Sequence, residues 1–97
     1  MGYRLTRAAV GDVSRIYLDS ARQFGIRQAD IYHDLLEKTF RFLAKNPRAA
    51  RRRPELTGNI RIHSIKSHVV IYQIEVSGDV LILRVRHGHE DWADDSR

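Results

Sequence analysis

The stretch 68–88, HVVIYQIEVSGDVLILRVRHG, leaves the backbone little choice. Two runs rich in β-branched residues, 69–76 and 80–85, flank Ser77-Gly78-Asp79, and a glycine-bearing break between strand formers predicts a β-hairpin. In the first run, Val70, Tyr72, Ile74 and Val76 fall on one face and Val69, Ile71, Gln73 and Glu75 on the other. In the second, Leu81, Leu83 and Val85 oppose Val80, Ile82, Arg84 and Arg86. Strict alternation therefore gives one wholly apolar face and one that mixes aliphatic side chains with charge, a core face and a working face.

A hairpin needs something to cover its apolar side, and the preceding residues supply it. Tyr3-Arg4-Leu5-Thr6 alternates as a short first strand, 3–6. From Ala8 the period becomes helical: Ala9, Val13, Ile16, Tyr17, Ser20 and Phe24 recur on one side, with Asp12, Arg15, Asp19 and Arg22 opposite. Thr6 suits the N-cap of this helix, 8–24, and Gly25 its stop. A second helix, 26–45, carries Ala29, Tyr32, Leu35, Leu36, Thr39, Phe40 and Leu43 and closes at Asn46-Pro47. Residues 47–58 hold two prolines, a glycine and three consecutive arginines, the composition of a loop. Alternation in 59–65 marks a further strand ahead of the hairpin strands 68–76 and 79–87; residues 88–97 form an acidic tail with Trp92 as its anchor.

The order β-α-α-β-β-β predicts one α+β domain over residues 1–97, with a helical hairpin packed on one face of a mainly antiparallel sheet and the other face left uncovered. At 97 residues and 42% hydrophobic content, the chain can support such a core. With no cysteine, neither a disulfide nor a zinc–thiolate site carries the fold. No apolar run approaches a membrane span and the N-terminus has no signal pattern, so the chain reads as cytoplasmic.

The formal charge of +5 is uneven. Between Lys45 and Lys66 seven basic residues face one acid, Glu55, and 14 of the 17 cations in the chain are arginine. Arginine favours planar, bidentate contacts to carboxylate or phosphate. The run Arg51, Arg52, Arg53 is read either as solvated surface or as a partner-facing patch.

Taken together, several short motifs resemble the ParE/RelE superfamily of type II toxin–antitoxin toxins, the ParE branch in particular. They run from Tyr3 to Trp92: Leu5-Thr6 and Ala8-Ala9; Asp12 with Ile16; Gly25, Ala29, Tyr32 and Leu36; Asn46-Pro47-Arg48; Gly58 with Arg61; His68 with Tyr72; and Ile82-Leu83-Arg84-Val85-Arg86-His87. The resemblance implies the RelE/ParE-like two-layer fold. It also implies a toxin that poisons DNA gyrase without chemistry of its own, held in a hetero-oligomer by a ParD-like antitoxin, with no cofactor or metal. Antitoxins of this kind wrap an acidic, apolar-anchored segment over the toxin. The mixed hairpin face, Val69, Ile71 and Ile82 interleaved with Arg61, Arg84 and Arg86, is the expected groove, and Arg51, Arg52 and Arg53 the expected target-binding patch.

The alternative within the superfamily is a RelE-like ribosome-dependent mRNA endoribonuclease. It needs a proton carrier and cations to stabilise a charged phosphorane-like state. Arg61 and Arg84 are the candidate charge stabilisers, His87 the acid or base, and Glu75 or Glu55 a base in principle. Against this, alternation puts His87 with Leu83 and Val85 as a hydrogen-bonded structural histidine, and Tyr72 with Val70 and Ile74 as a packed aromatic. Arg84 and Arg86 also suit charges that keep a strand edge from pairing with another chain. The chain departs from the ParE pattern in closing on His89-Glu90-Asp91, where ParE-like chains often carry basic residues, and from the RelE set in having no tyrosine after Tyr72. A nucleic-acid-binding module built on residues 45–66 ranks last, because that tract contains no Phe, Tyr or Trp on which bases stack.

Overall fold

Thr6 follows the first strand and caps the first helix, and this junction sets how the two layers meet. In the computed structural model, which describes residues 2–56 and 58–88, β1 (Tyr3–Leu5) is followed by α1 (Arg7–Phe24), α2 (Ile26–Lys45), β2 (Arg61–Ile65), β3 (His68–Ile74) and β4 (Val80–His87). The acidic tail with Trp92, residues 89–97, lies outside the described residues. Strand order is β1-β4-β3-β2. β2, β3 and β4 form an antiparallel meander, and β1 joins the outer side of β4 in parallel. This is the α+β two-layer arrangement expected from the element order.

Gly25 alone joins the helices. Its φ of 93° with ψ of 163° is a conformation that side-chain-bearing residues avoid. It closes α1 through Gly25 N–H to Ala21 O and opens α2 by accepting from Ala29 N, so the chain reverses within one residue and the helices pack side by side. Ala9, Leu36, Phe40 and Leu43 meet Val70, Tyr72, Val80, Ile82 and Val85 of the sheet. Burial of these side chains is the main stabilising term, at about 1.5–3 kcal/mol for each large aliphatic or aromatic group.

Strict alternation does not survive along β4. Ile71 pairs with Arg84 but Tyr72 pairs with Ile82, so Leu83 is an extra residue, a β-bulge. The bulge lets Val80, Ile82 and Val85 all face the helices, while Leu83 joins Val69 and Ile71 on the opposite side. The grouping of Leu81, Leu83 and Val85 as the core face is therefore wrong for this strand, and Ile82 belongs to the core. Val76, expected on the core face of β3, sits in the turn at full exposure, because β3 stops at Ile74 and Gly78 N–H closes the turn onto Glu75 O.

The sheet's second face is also not bare. Ile60, Val69 and Ile71 are buried there with Leu56, Ile62 and Leu83 around them. Leu56 and Ile60 reach this position because Arg53 N–H donates to Ile60 O (2.7 Å) and Arg52 bridges to Arg61 at the sheet edge. An apolar strand face next to a tethered loop recruits the loop's own Leu and Ile as a cover.

Candidate functional site

Two places concentrate chemistry, and each is built on an anchor to β4 or β3. The first begins at Thr6. Its Oγ1 accepts from Ala9 N (3.0 Å) and donates to Leu83 O (2.7 Å), while Thr6 N–H donates to Ile82 O (3.0 Å). The start of α1 is thereby stitched to the bulge. One and a half turns on, the Asp12 side chain is 4% exposed. Its carboxylate accepts Arg84 Nε (2.8 Å) and Nη2 (3.0 Å), Val85 N (3.0 Å) and Arg15 Nη2 (2.7 Å). β1 pairs with β4 only as far as Ile82, so the carboxylate takes an edge N–H that the ladder does not use. Burial by itself works to raise the Asp12 pKa, but the hydrogen bonds from Arg84 and Val85 and the charge of Arg84 outweigh it, and the group lies below its ordinary value.

Beside this cluster is a pocket of about 220 Å³, bounded by Arg15 and Asp19 of α1 and by His68, Arg86 and His87. Tyr32 Oη and His68 Nδ1 share a hydrogen bond at 2.6 Å, and the His68 and His87 rings meet edge-on at 5.2 Å. Burial raises the Tyr32 pKa. His87 stands at the exposed end of β4, on the side that Val85 faces but beyond the core.

The second place is organised by Tyr72, which is fully buried. Its hydroxyl donates to Pro47 O (2.8 Å) and accepts from Ala50 N (3.4 Å), and Arg61 Nη1 donates to Ala50 O (2.7 Å). These bonds pin the chain as it leaves α2 and present Arg51, Arg52 and Arg53 at the β2 edge. The three arginines line an open cleft of about 690 Å³ with Pro54, Glu55 and Ile62. Arg52 Nη1 bonds Asn59 Oδ1 (3.2 Å) and Arg53 Nη1 bonds Glu55 (3.4 Å). A backbone hydrogen bond at Glu55, then Arg53 and Arg51, hold its carboxyl below the usual range.

The arrangement distributes the sequence-predicted residues unevenly. Arg61, Arg84 and His87 do not converge. Arg61 holds Ala50 O, Arg84 holds Asp12, and His87 pairs in register with His68, five positions along β4 from the Ile82 level of Arg61. Glu75 is engaged by Arg4 (2.7 Å) at the far end of β3, and that hydrogen bond lowers its pKa. Of the six residues expected to form an open groove, Val69 and Ile71 are buried under Leu56 and Ile60, and Ile82 lies in the helix-facing core. Arg61 and Arg84 are drawn into the contacts above, and Arg86 remains at a pocket wall. Arg51, Arg52 and Arg53 stay together and exposed.

Helical spacing puts Asp12 on the solvent side of α1, but the structure buries it against β4. The signal was present: Asp12 lies three residues after Ala9 and four before Ile16, inside the buried stripe. Among the described residues no group of three or more His, Asp or Glu side chains is placed to hold a metal ion, and no helix is long and apolar enough to cross a membrane.

Residues 3–92 match the family model described as ParE toxin of type II toxin-antitoxin system, parDE. The chain is 32% identical to Toxin ParE3 of Caulobacter vibrioides over 88 residues, covering 91% of this chain and 87% of that protein. It is 34% identical to Toxin ParE1 of the same organism, covering 88% and 86%, and 29% identical to Toxin ParE1 of Mycobacterium tuberculosis, covering 92% and 91%. A solved chain from the chromosomal ParDE TA system of P. aeruginosa has the same fold, with a TM-score of 0.76 at 20% identity over 90% of this chain and 95% of that one.

Proposed function

The chain belongs to the ParE toxin family of type II toxin–antitoxin systems, and from that premise we propose that it inhibits DNA gyrase by binding alone and is neutralised in the cytoplasm by a ParD-like antitoxin. The observation that carries the binding reading is the separate employment of Arg61 and Arg84. Each guanidinium is tied to its own structural acceptor, Ala50 O or Asp12, whereas a phosphorane-like state needs both around one phosphate. The exposed arginines at 51–53 line a cleft suited to contact with the target.

For the antitoxin, we infer contacts on α1 and the end of β4, because loop residues cover the sheet's second face. Leu18 is half exposed above a groove between α1 and α2 that includes Val13 and Tyr17. Arg15 and Arg86 line the neighbouring pocket. Apolar seats beside cations complement an amphipathic acidic segment. Leu18→Glu with Arg86→Glu is expected to weaken antitoxin affinity at least about tenfold, or 1.4 kcal/mol. Titration calorimetry that finds unchanged affinity removes this surface from consideration.

Two cell-free assays test the target. Purified protein is expected to block gyrase supercoiling and to accumulate cleavage complexes, while leaving ribosomal translation of a reporter mRNA untouched. Loss of translation with normal supercoiling overturns the gyrase reading in favour of the endoribonuclease. Reversing Arg51, Arg52 and Arg53 to Glu is expected to raise the inhibitory concentration by about tenfold or more, since each desolvated charge contact contributes on the order of 1 kcal/mol. Full potency in the reversed variant would sink the arginine cleft as the target-binding patch.

A further inference from the structure

The basic tract 45–66 contains no Phe, Tyr or Trp, yet the fold places an aromatic pair directly against it. Phe42, near the end of α2, is 46% exposed. It packs on His63 of β2, with ring centroids 5.9 Å apart and planes inclined by 39°. Most large apolar side chains on α2 turn inward, as Leu36, Phe40 and Leu43 do, so a half-exposed phenylalanine tilted against a strand histidine is a surface aromatic and not a core residue. Lys38 and Lys45 stand one turn before and one turn after Phe42 on the same face of the helix, and both are exposed. Neither lysine is ion-paired within the described residues. They are separated by about 10 Å along the axis at 1.5 Å per residue, a span that brackets one stacked base with its flanking phosphates.

We propose that the surface formed by α2 and β2 around the Phe42–His63 ring pair binds single-stranded nucleic acid, with a base stacked on the rings and phosphates held by Lys38 and Lys45. The combination selects the ligand. Cations alone accept any polyanion, acidic protein included, but a ring face between two cations matches a polymer that alternates π-faces with negative charge. A duplex offers the charge without the faces, because its bases are stacked internally. DNA and RNA single strands share the needed chemistry. This site lies outside the contacts invoked above for antitoxin and target, and it does not rest on gyrase being the target.

Fluorescence anisotropy on the purified full chain tests the proposal, with labelled oligothymidylate, oligouridylate, a duplex of the same length, and unlabelled polyglutamate as competitor, each across a salt titration. Both single strands, or one of them, are expected to bind more tightly than the duplex, and the better of the two identifies the source. Phe42→Leu, which keeps an apolar helix former but removes the ring, is expected to weaken single-strand binding about tenfold. Lys38→Gln and Lys45→Gln are each expected to reduce the slope of log affinity against log salt by about 0.7. Equal or tighter duplex binding overturns the proposal. So does an effect of Phe42→Leu within about twofold, or competition by polyglutamate that is indifferent to Phe42.

Discussion

Replacing Asp12 by alanine is expected to destabilise the protein by about 3 kcal/mol, the usual cost of removing one partner from a buried charge pair, and to lower the thermal midpoint by roughly 12–24 °C. Three losses coincide. Arg84 loses its bidentate acceptor, Val85 N–H loses the carboxylate oxygen it donates to at the bulge (3.0 Å), and Arg15 loses its contact at 2.7 Å. Asp12→Asn separates charge from shape, because the amide keeps one acceptor for Val85 N–H. The wild-type pKa is depressed on folding, so its stabilisation is fully present above the unfolded value of about 3.9 and is lost as pH falls through the folded value. The gap between wild type and Asp12→Asn in urea midpoint should therefore be widest near neutrality and shrink in acid below about pH 4. A gap that stays constant into strong acid would mean that the carboxylate's charge does not hold α1 to β4.

Tyr72→Ala is expected to cost about 3–5 kcal/mol, as for other large buried aromatics. The more informative variant is Tyr72→Phe. It leaves the core volume intact but strips Pro47 O and Ala50 N of their side-chain partner, a loss of about 1–3 kcal/mol. Because Arg61 still holds Ala50 O, the effect should be local. Hydrogen exchange is expected to quicken in residues 47–60 while the core strands stay protected; under the proposed gyrase function, inhibition should fall with it, because this tether places Arg51, Arg52 and Arg53. If Tyr72→Phe loosens the loop and leaves inhibition unchanged, the arginine cleft does not contact the target.

These two anchors also mark where the sequence was hard to read. Tyr72 was legible as a packed aromatic from its alternation with Val70 and Ile74, but nothing local announces that its hydroxyl reaches Pro47 and Ala50, 25 and 22 residues away. Helical spacing groups Asp12 with Arg15, Asp19 and Arg22 on the polar side of α1, where a carboxylate is ordinarily solvated. It is buried here because Arg84 and Val85 N–H arrive from 72 and 73 residues downstream to satisfy it. The sheet face expected to be bare is covered for a related reason. Val69 and Ile71 do share a face, but Leu56 and Ile60 from the loop cover it, and a loop's landing place is a long-range property.

The sequence by itself determined the elements, their order and the two-layer class. Helical and alternating periodicities are local, Gly25 and Asn46-Pro47 mark helix ends by backbone sterics, and a helical hairpin with one apolar stripe has only a sheet to cover. It also carried the family resemblance, which the comparisons show to be membership. Only the tertiary structure decided the parity of β4, through a single extra residue at Leu83 that turns Ile82 inward and brings Arg84 to Asp12. The physical reason is the period of a strand. One inserted residue reverses every face assignment beyond it, and whether a bulge forms depends on partners across the sheet and on the helix above it, which no window of neighbouring residues contains.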